Sequence, residues 1–586
     1  MIRVIKSVQN ILRNLGPWKK YVRWGYLVAV LEATCSFIPY LLLFYAISLY
    51  LKGGFTPKDI QTVGWIMVGS VLLRAFFRRI MDNLQQDKGY YAFTENRLKL
   101  TDHLARLNMG YYTDGNIGNI TSVVTTDIVF VEEYALTQMT VVISSLAGMI
   151  PSAVFLFLIQ WQLGVLFVLF SILALYCMDR MLRAMEENAR GRQDSLSALS
   201  QAILTFIRGM QTIKAFNMQR EETSSMEKAI DESQRFSIQF VKDSTPPFLY
   251  FDLATMLPIA IMAGTSTALL LTGQMDRALG IGFIVFSFVL FMPLTLLGNA
   301  AEILSISDAG LDRYEEILAV PELPEGKRQD FVPQKMDVVF HDVTFAYEKT
   351  PVIQHIDLSI KDHTFTALVG KSGSGKSTIA SLIARFWDVQ EGSITLDGVD
   401  LRDYSTEHLL ANISMVFQRV YLFRDTIYNN IAFGNQAATR EAVIESAKKA
   451  RCHDFIMELE HGYDTLVGEG GCTLSGGEKQ RISIARAILK DAPLILLDEA
   501  TAGIDPENEY FLQQAMEELV KNKTLVVIAH RLDTIRQADK IVYLEEGRIL
   551  EEGTHEELVA LKGAYWKQYK YYTMDDSLDT KGDEAS

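Results

Sequence analysis

At 586 residues the chain exceeds one compact domain and has room for two or three. Hydrophobic residues make up 49% of it beside 22% charged ones, and the mean hydropathy is positive, which is high for a soluble protein. A net charge of −15 argues against nucleic-acid binding, which normally needs a basic face.

Residues 1–305 hold nearly all the long apolar stretches, whereas 330–586 read as a soluble α/β domain. The N-terminus has no cleavable signal pattern. Residues 1–18 instead read as an interfacial elbow helix, with Ile2, Ile5, Val8, Leu12 and Leu15 on one face and Arg3, Lys6 and Arg13 elsewhere.

A membrane span needs roughly 20 mostly apolar residues. Six candidates follow within a transmembrane domain at 19–315, at about 24–51, 61–80, 137–160, 162–182, 247–272 and 278–300. The segments 81–136 and 183–246 are long, polar and helix-patterned. Basic residues gather on them and at their borders: Arg74, Arg78, Arg79, Lys88, Arg97 and Lys99, then Arg180, Arg183, Arg190, Arg192 and Arg208. The positive-inside rule makes both segments cytoplasmic, and six spans then put both termini there too. The expected picture is helices that run past the bilayer, turn near Asp114–Gly118 and near Phe216–Glu221, and return.

Within the spans Glu32 is the clearest charge, costly enough at membrane depth to be a functional candidate or one half of an interhelical pair. Phe283, Phe286, Phe288, Phe291 and Met292, with Phe155 and Phe157, either line an adaptable apolar cavity or are ordinary lipid-facing or packing residues. No histidine falls in a span, and Cys35, Cys177, Cys452 and Cys472 lack metal-ligand spacing. Bare transition-metal ions are therefore poor cargo, and the expected substrate is an amphipathic or hydrophobic organic molecule.

A linker at 316–335 leads to a domain at 336–573. There the buried strand 364–370 runs into GKSGSGKST at 370–378 and then a helical pattern. Strand, glycine-rich loop and helix are the context of a phosphate-binding loop. Gly370, Gly373 and Gly375 let backbone N–H groups close on phosphate oxygens, with Ser372, Ser374 and Thr378 in the same cradle. Lys376 is placed to reach the β- and γ-phosphates, and the Ser377 hydroxyl to bind Mg²⁺. Pro493–Glu499 is a buried strand ending in two acids, of which Asp498 suits Mg²⁺ and Glu499 a general base orienting the attacking water.

Between these motifs stands Leu474-Ser-Gly-Gly-Glu-Lys-Gln-Arg481, whose Ser475, Gly476 and Gly477 offer donors at a helix N-terminus. Here the sequence resembles the ATP-binding cassette (ABC) superfamily, whose signature is this LSGGxxQR block. The resemblance implies ATP and Mg²⁺ as cofactors and assigns further residues in order. Tyr347 matches the aromatic that stacks on adenine, Gln418 the glutamine that senses Mg²⁺ and the transmembrane domains, Asp505 the D-loop aspartate, and His530 the switch histidine. In the family the signature meets the γ-phosphate held by another subunit, so a dimer is implied, with a second half-transporter of identical or different sequence as partner. Six spans ahead of the cassette resemble exporter-type half-transporters in the lipid bilayer of a bacterial cytoplasmic (inner) membrane, with termini and cassette in the cytosol. Thr465–Glu469 resembles that type's X-loop.

The implied fold is thus a membrane α-helical domain of six transmembrane helices followed by an α/β P-loop nucleotide-binding domain, with an acidic tail at 574–586 that looks disordered. Two departures are Lys371, where proline is common, and Ala-Gly-Ile-Asp at 502–505. The implied function is transport driven by ATP hydrolysis, as an ATPase and translocase with alternating access. The exporter direction stands beside an alternative, an exporter-shaped importer of an iron–siderophore complex working as a heterodimer. The intact Glu499, His530 and signature disfavour a regulatory or channel-like protein, and the spans exclude a soluble cassette ATPase.

Overall fold

A computed structural model describes the chain except residues 1, 52–55, 217–218, 327, 329–332, 348–349, 419, 469–473, 499–505, 530–534 and 571–586. The described chain forms two compact units, one of residues 1–105 and 114–321, the other of 106–113 and 322–586.

The first unit is helical: α1 (Ile2–Asn14), α2 (Lys19–Leu51), α3 (Pro57–Asp82), α4 (Lys88–Arg106), α5 (Asp114–Ser122), α6 (Ile128–Phe130), α7 (Leu136–Ile159), α8 (Trp161–Arg208), α9 (Met210–Phe216), α10 (Gln219–Leu271), α11 (Arg277–Leu290) and α12 (Met292–Leu318). Three π-helical turns, Asn83–Asp87, Val123–Asp127 and Val131–Ala135, join their neighbours into longer rods. Among the described residues, six rods carry apolar stretches long enough to cross a bilayer. Helix α8 alone has 48 residues, or about 72 Å at 1.5 Å per residue, more than twice a hydrocarbon core.

Outward-facing residues confirm what surrounds this unit. Trp65, Val71, Leu72 and Phe76 of α3 are exposed, and only 6% of that rod's apolar window is buried within the chain. Water would reject such a surface, whereas lipid supplies its missing partner. The α3 start is set chemically: Thr56 and Asp59 form a reciprocal capping box, with Pro57 at the first helical position.

Packing resolves the aromatic stripe. Phe283 and Phe286 are buried against Phe37, Phe44 and Phe155, with ring centroids 5.0–6.1 Å apart and mostly edge to face. Gly282 permits this, since a Cβ there would lie 2.5 Å from Phe44. Phe291 is buried too, while Phe288, Met292 and Phe157 face outward. The stripe is therefore mainly helix-to-helix packing.

The first long excursion turns earlier than expected. Helix α4 ends at Arg106 and α5 begins at Asp114, so residues 107–113 make the turn and Gly115 and Gly118 lie inside a helix. An extended Asn108 and the short 3-10 turn Met109–Tyr111 reverse the chain without glycine conformations. The second excursion breaks after α8 at Gly209, and residues 217–218, within the turn expected near Phe216–Glu221, lie outside the described residues.

The second unit contains three sheets. Strands β1 (Val338–Ala346), β2 (Pro351–Ile360), β4 (Glu391–Leu396) and β5 (Val399–Asp400) form an antiparallel sheet in the order β2-β1-β4-β5. Strands β3 (Phe365–Gly370), β6 (Ile413–Val416), β9 (Leu494–Asp498), β10 (Thr524–Ile528), β11 (Lys540–Glu545) and β12 (Arg548–Gly553) form the central one, ordered β12-β11-β3-β10-β9-β6. A small pair, β7 (Asp425–Thr426) and β8 (Leu466–Val467), completes them. All central strands but β12 are parallel. They read as unbroken apolar runs because both faces are covered. Alternate residues feed two cores: Ala367, Val369, Ile495, Leu497 and Val527 enter one, and Leu368, Leu494, Leu496, Val526 and Ile528 the other.

Candidate nucleotide site

Parallel register brings the expected residues to one edge. Leu368 of β3 lies beside Ile528 of β10, and Ile528 beside Asp498 of β9. Val416 of β6 pairs with Leu497. The C-terminal ends of β3, β10, β9 and β6 therefore lie side by side, and the chain leaves them at Gly370, Ala529, Asp498 and Phe417. Such an edge is where open α/β sheets bind ligands.

From β3 the chain enters the glycine-rich loop and then α13 (Lys376–Ile383). Gly375 sits at φ +102°, a left-handed conformation, and a Cβ there would lie 2.6 Å from Ile353. At Gly370, φ is +150° and a Cβ would lie 2.1 Å from the carbonyl oxygen of Leu544 on β11. Lys376 is buried and its ammonium donates to the carbonyls of Gly370 and Lys371, each at 2.8 Å. The side chain thus folds back over the loop, where a phosphate would lie. Ser374 is buried and its hydroxyl has no hydrogen-bond partner among the described residues, as fits a donor kept for a ligand. Ser372, Gly373 and Ser377 are exposed, and Thr378 is buried with its hydroxyl 3.0 Å from that of Tyr347.

Tyr347 follows β1 and is half exposed. Edge-to-face contacts with Phe345 (5.0 Å) and Trp387 (5.1 Å) hold its ring upright. A platform for a flat base needs that rigidity with one face open.

The signature begins the helix Gly476–Lys490. Ser475 is its N-cap: the hydroxyl accepts from the Glu478 N–H at 3.3 Å, and the Glu478 carboxylate accepts from the Ser475 N–H at 2.7 Å. Gly476 faces open space, with no atom within 4 Å of a Cβ built there, while Gly477 is buried. Farther along, Gln480 donates to the Phe417 carbonyl at 3.3 Å, tying this helix to the strand end that precedes the exposed Gln418.

Sequence reasoning missed several supports. Lys371 pairs with Glu545 at 2.6 Å, fastening the loop to β11 and raising the Lys371 pKa. Arg486 donates to the carbonyls of Asn430 (2.5 Å) and Tyr421 (2.8 Å), and burial lowers its pKa to about 10. Arg385 is buried, donating to the carbonyls of Tyr404 and Pro324 at 3.0 and 2.6 Å. These bonds reach backbone atoms through folding, and no spacing announces them. Glu499, Asp505 and His530 lie outside the described residues, as does Glu469.

The 106–113 turn belongs to this unit. Its Met109 N–H donates to the Phe386 carbonyl at 3.1 Å, and Leu323 N–H donates to the Arg106 carbonyl at 3.0 Å. Gly110 abuts Trp387 so closely that a Cβ would lie 2.8 Å from the indole nitrogen.

A phosphate loop and a capped signature helix, fused to six apolar rods, define a membrane protein that uses a nucleotide. Comparison with known proteins narrows the class. Residues 26–294 match the family described as "ABC transporter transmembrane region", and 353–502 match "ABC transporter". The chain is 33% identical over 590 residues to a "putative multidrug export ATP-binding/permease protein YgaD" of Bacillus subtilis (strain 168), covering 98% of this chain and 100% of that one. It is 31% identical over 532 residues to an "ATP-dependent lipid A-core flippase" of Syntrophus aciditrophicus (strain SB), covering 89% and 88%. A solved bacterial Atm1-family ABC exporter with ATP bound has the same fold, with a TM-score of 0.81 at 24% identity over 95% of this chain and 98% of that one. The chain belongs to the ABC transporter family. It is an integral membrane protein of the exporter-type half-transporter class, and an ATPase coupled to transport.

Proposed function

We propose that the chain is one half of a dimer that moves amphipathic or hydrophobic organic molecules outward across a bacterial cytoplasmic membrane. Its relatives' names, a lipid flippase and a multidrug export protein, favour a lipid-like or drug-like cargo and favour export over iron–chelate import. The observation that carries the dimer is the signature helix. Its capped N-terminus opens to space at Gly476 and so suits the phosphate held by a second chain's loop.

In this reading Tyr347 stacks on adenine, and Gly370, Ser372, Gly373, Ser374, Gly375 and Thr378 cradle the phosphates. Lys376 leaves its loop carbonyls for the β- and γ-phosphates. Ser377, Asp498 and Gln418 would hold Mg²⁺, which would supply positive charge against the charge developing on the phosphates. Glu499 orients and deprotonates the attacking water, His530 contacts the γ-phosphate, and Asp505 links the two sites. Ser475, Gly476 and Gly477 complete the other chain's site.

Hydrolysis must reach the rods, and the 106–113 turn is placed for that. It rests on Phe386–Trp387, just past the end of α13, and Trp387 also touches Tyr347. Gly110→Val should push the turn off Trp387, keeping basal ATPase within about twofold while abolishing stimulation by amphipathic compounds.

The direction test uses inside-out proteoliposomes. ATP-dependent accumulation of a fluorescent lipid or amphipathic dye is expected. Accumulation of an iron chelate from the opposite side, with organic compounds inert, would overturn the reading.

A further inference from the structure

Most arginines of the membrane unit that make close contacts are paired. Arg13 lies 2.7 Å from Glu315, Arg74 2.7 Å from Glu32, and Arg313 2.7 Å from Asp127. Other cations of this unit, Lys228 and Lys242 among them, make no ion pair with a described carboxylate, and one group of such cations is clustered. Lys19, Lys20 and Arg23 at the start of α2, with Lys88 at the start of α4, make no ion pair with any described carboxylate.

Aromatic rings surround the same patch. The Lys88 ammonium lies 5.7 Å from the Trp18 ring, 5.9 Å from Tyr21 and 5.3 Å from Tyr91. The Lys20 ammonium lies 4.9 Å from the centre of the Tyr21 ring. Trp18 and Tyr91 stack at 5.5 Å, and the Trp18 indole donates to the Glu95 carboxylate at 3.1 Å. Lys19, Lys20, Arg23, Trp24 and Tyr91 are exposed. The patch stands where the first apolar rod begins, at the depth where tryptophan and tyrosine sit among headgroups.

We propose that this patch binds the headgroup of an anionic phospholipid of the cytoplasmic leaflet. The chemistry chooses between headgroups. A three-sided aromatic cage would suit a quaternary ammonium, but here Lys88 fills it. What the cluster offers outward is therefore positive charge, with Lys88 held by the rings and Lys20 and Arg23 one helical turn apart beside it. A phosphate or phosphatidylglycerol-type headgroup fits that offer, and a choline headgroup does not. The aromatic rings take the glycerol and upper acyl region.

The test uses the purified full-length transporter in its own assembly, incubated with an equimolar mixture of phosphatidylglycerol and phosphatidylcholine and examined by native mass spectrometry. The wild-type protein should retain phosphatidylglycerol preferentially. Lys20→Gln/Arg23→Gln/Lys88→Gln should lower that preference about a hundredfold, each charge accounting for about fivefold. Lys228→Gln/Lys242→Gln, at exposed cations of α10, should leave it unchanged. Lys88→Arg should retain it. If the triple variant does not purify, the Lys20→Gln and Lys88→Gln single variants carry the same test. An unchanged ratio in the charge-removing variants, or no preference in the wild type, would overturn the proposal.

Discussion

The two units differ in how their most telling polar groups are held, although side-chain pairs such as Lys371–Glu545 occur in the ATP-binding unit too. In the ATP-binding unit backbone atoms do the holding: Lys376 on two loop carbonyls, Ser475 on the Glu478 N–H, Arg486 on the carbonyls of Tyr421 and Asn430. In the membrane unit side chains hold each other: Glu32 with Arg74, Glu132 with Arg97, Asp127 with Arg313. Lipid explains the Glu32–Arg74 pair, since helices in a bilayer use their own backbone bonds and leave a charged side chain to another side chain, whereas Glu132–Arg97 and Asp127–Arg313 lie on the polar extensions beyond the spans. The lesson is about tolerance. A site built on backbone demands particular residues at particular positions, whereas a side-chain pair demands only complementarity.

The comparison breaks first at the chemistry. Glu499→Gln should retain ATP binding and lose hydrolysis by about 10²–10⁴-fold, the usual worth of a positioned base. Lys376→Ala should lose nucleotide affinity instead. Steady-state ATPase and nucleotide titration separate the two, and normal turnover in Glu499→Gln would remove that residue from its role.

Next comes a purely geometric change. Gly370→Ala would drive a Cβ to within 2.1 Å of a strand carbonyl at a backbone angle that side chains avoid. A loss of about 3 kcal/mol or more is expected, read as a lower unfolding midpoint and poor nucleotide binding. Wild-type behaviour would mean that the loop is not held against β11.

A smaller effect is expected in the membrane. Glu32→Gln leaves Arg74 without its partner inside a span and should cost about 2–3 kcal/mol, because the surrounding lipid offers an unpaired guanidinium no replacement. The double variant with Arg74→Gln should recover part of the loss. Additive losses would show that the pair is not energetically coupled.

That contrast also governs what could be read in the sequence. The phosphate loop and the signature are contiguous, because neighbouring backbone atoms build each site, so GKSGSGKST and LSGGEKQR announced them. Span positions were legible from apolar length alone. The partner of Glu32 was not, since 42 residues separate it from Arg74 and 186 separate Asp127 from Arg313. The early turn at 107–113 was missed for another reason. Gly115 and Gly118 looked like breakers, yet helix α5 absorbs both, and an extended Asn108 does the turning.

The smallest expected effect is on pH dependence. His555 accepts or donates at Tyr565 at 2.8 Å, and burial, then Arg536, lowers its pKa below 6.5. The unfolded chain therefore takes up the proton first, so this contribution is present above pH 6.5 and lost as pH falls below it. His555→Gln should flatten the acid side of the stability curve slightly, and an unchanged profile would assign that slope elsewhere.

The central claim is that each ATP site joins one chain's phosphate loop to another chain's signature. Ser372 and Gly476 are both exposed, so Ser372→Cys with Gly476→Cys, in a background lacking the four native cysteines and carrying Glu499→Gln, places one thiol at each side. With a short bismaleimide the account predicts an inter-chain product that forms only when ATP is bound. Equal yield without ATP, or no inter-chain product with ATP present, would contradict it.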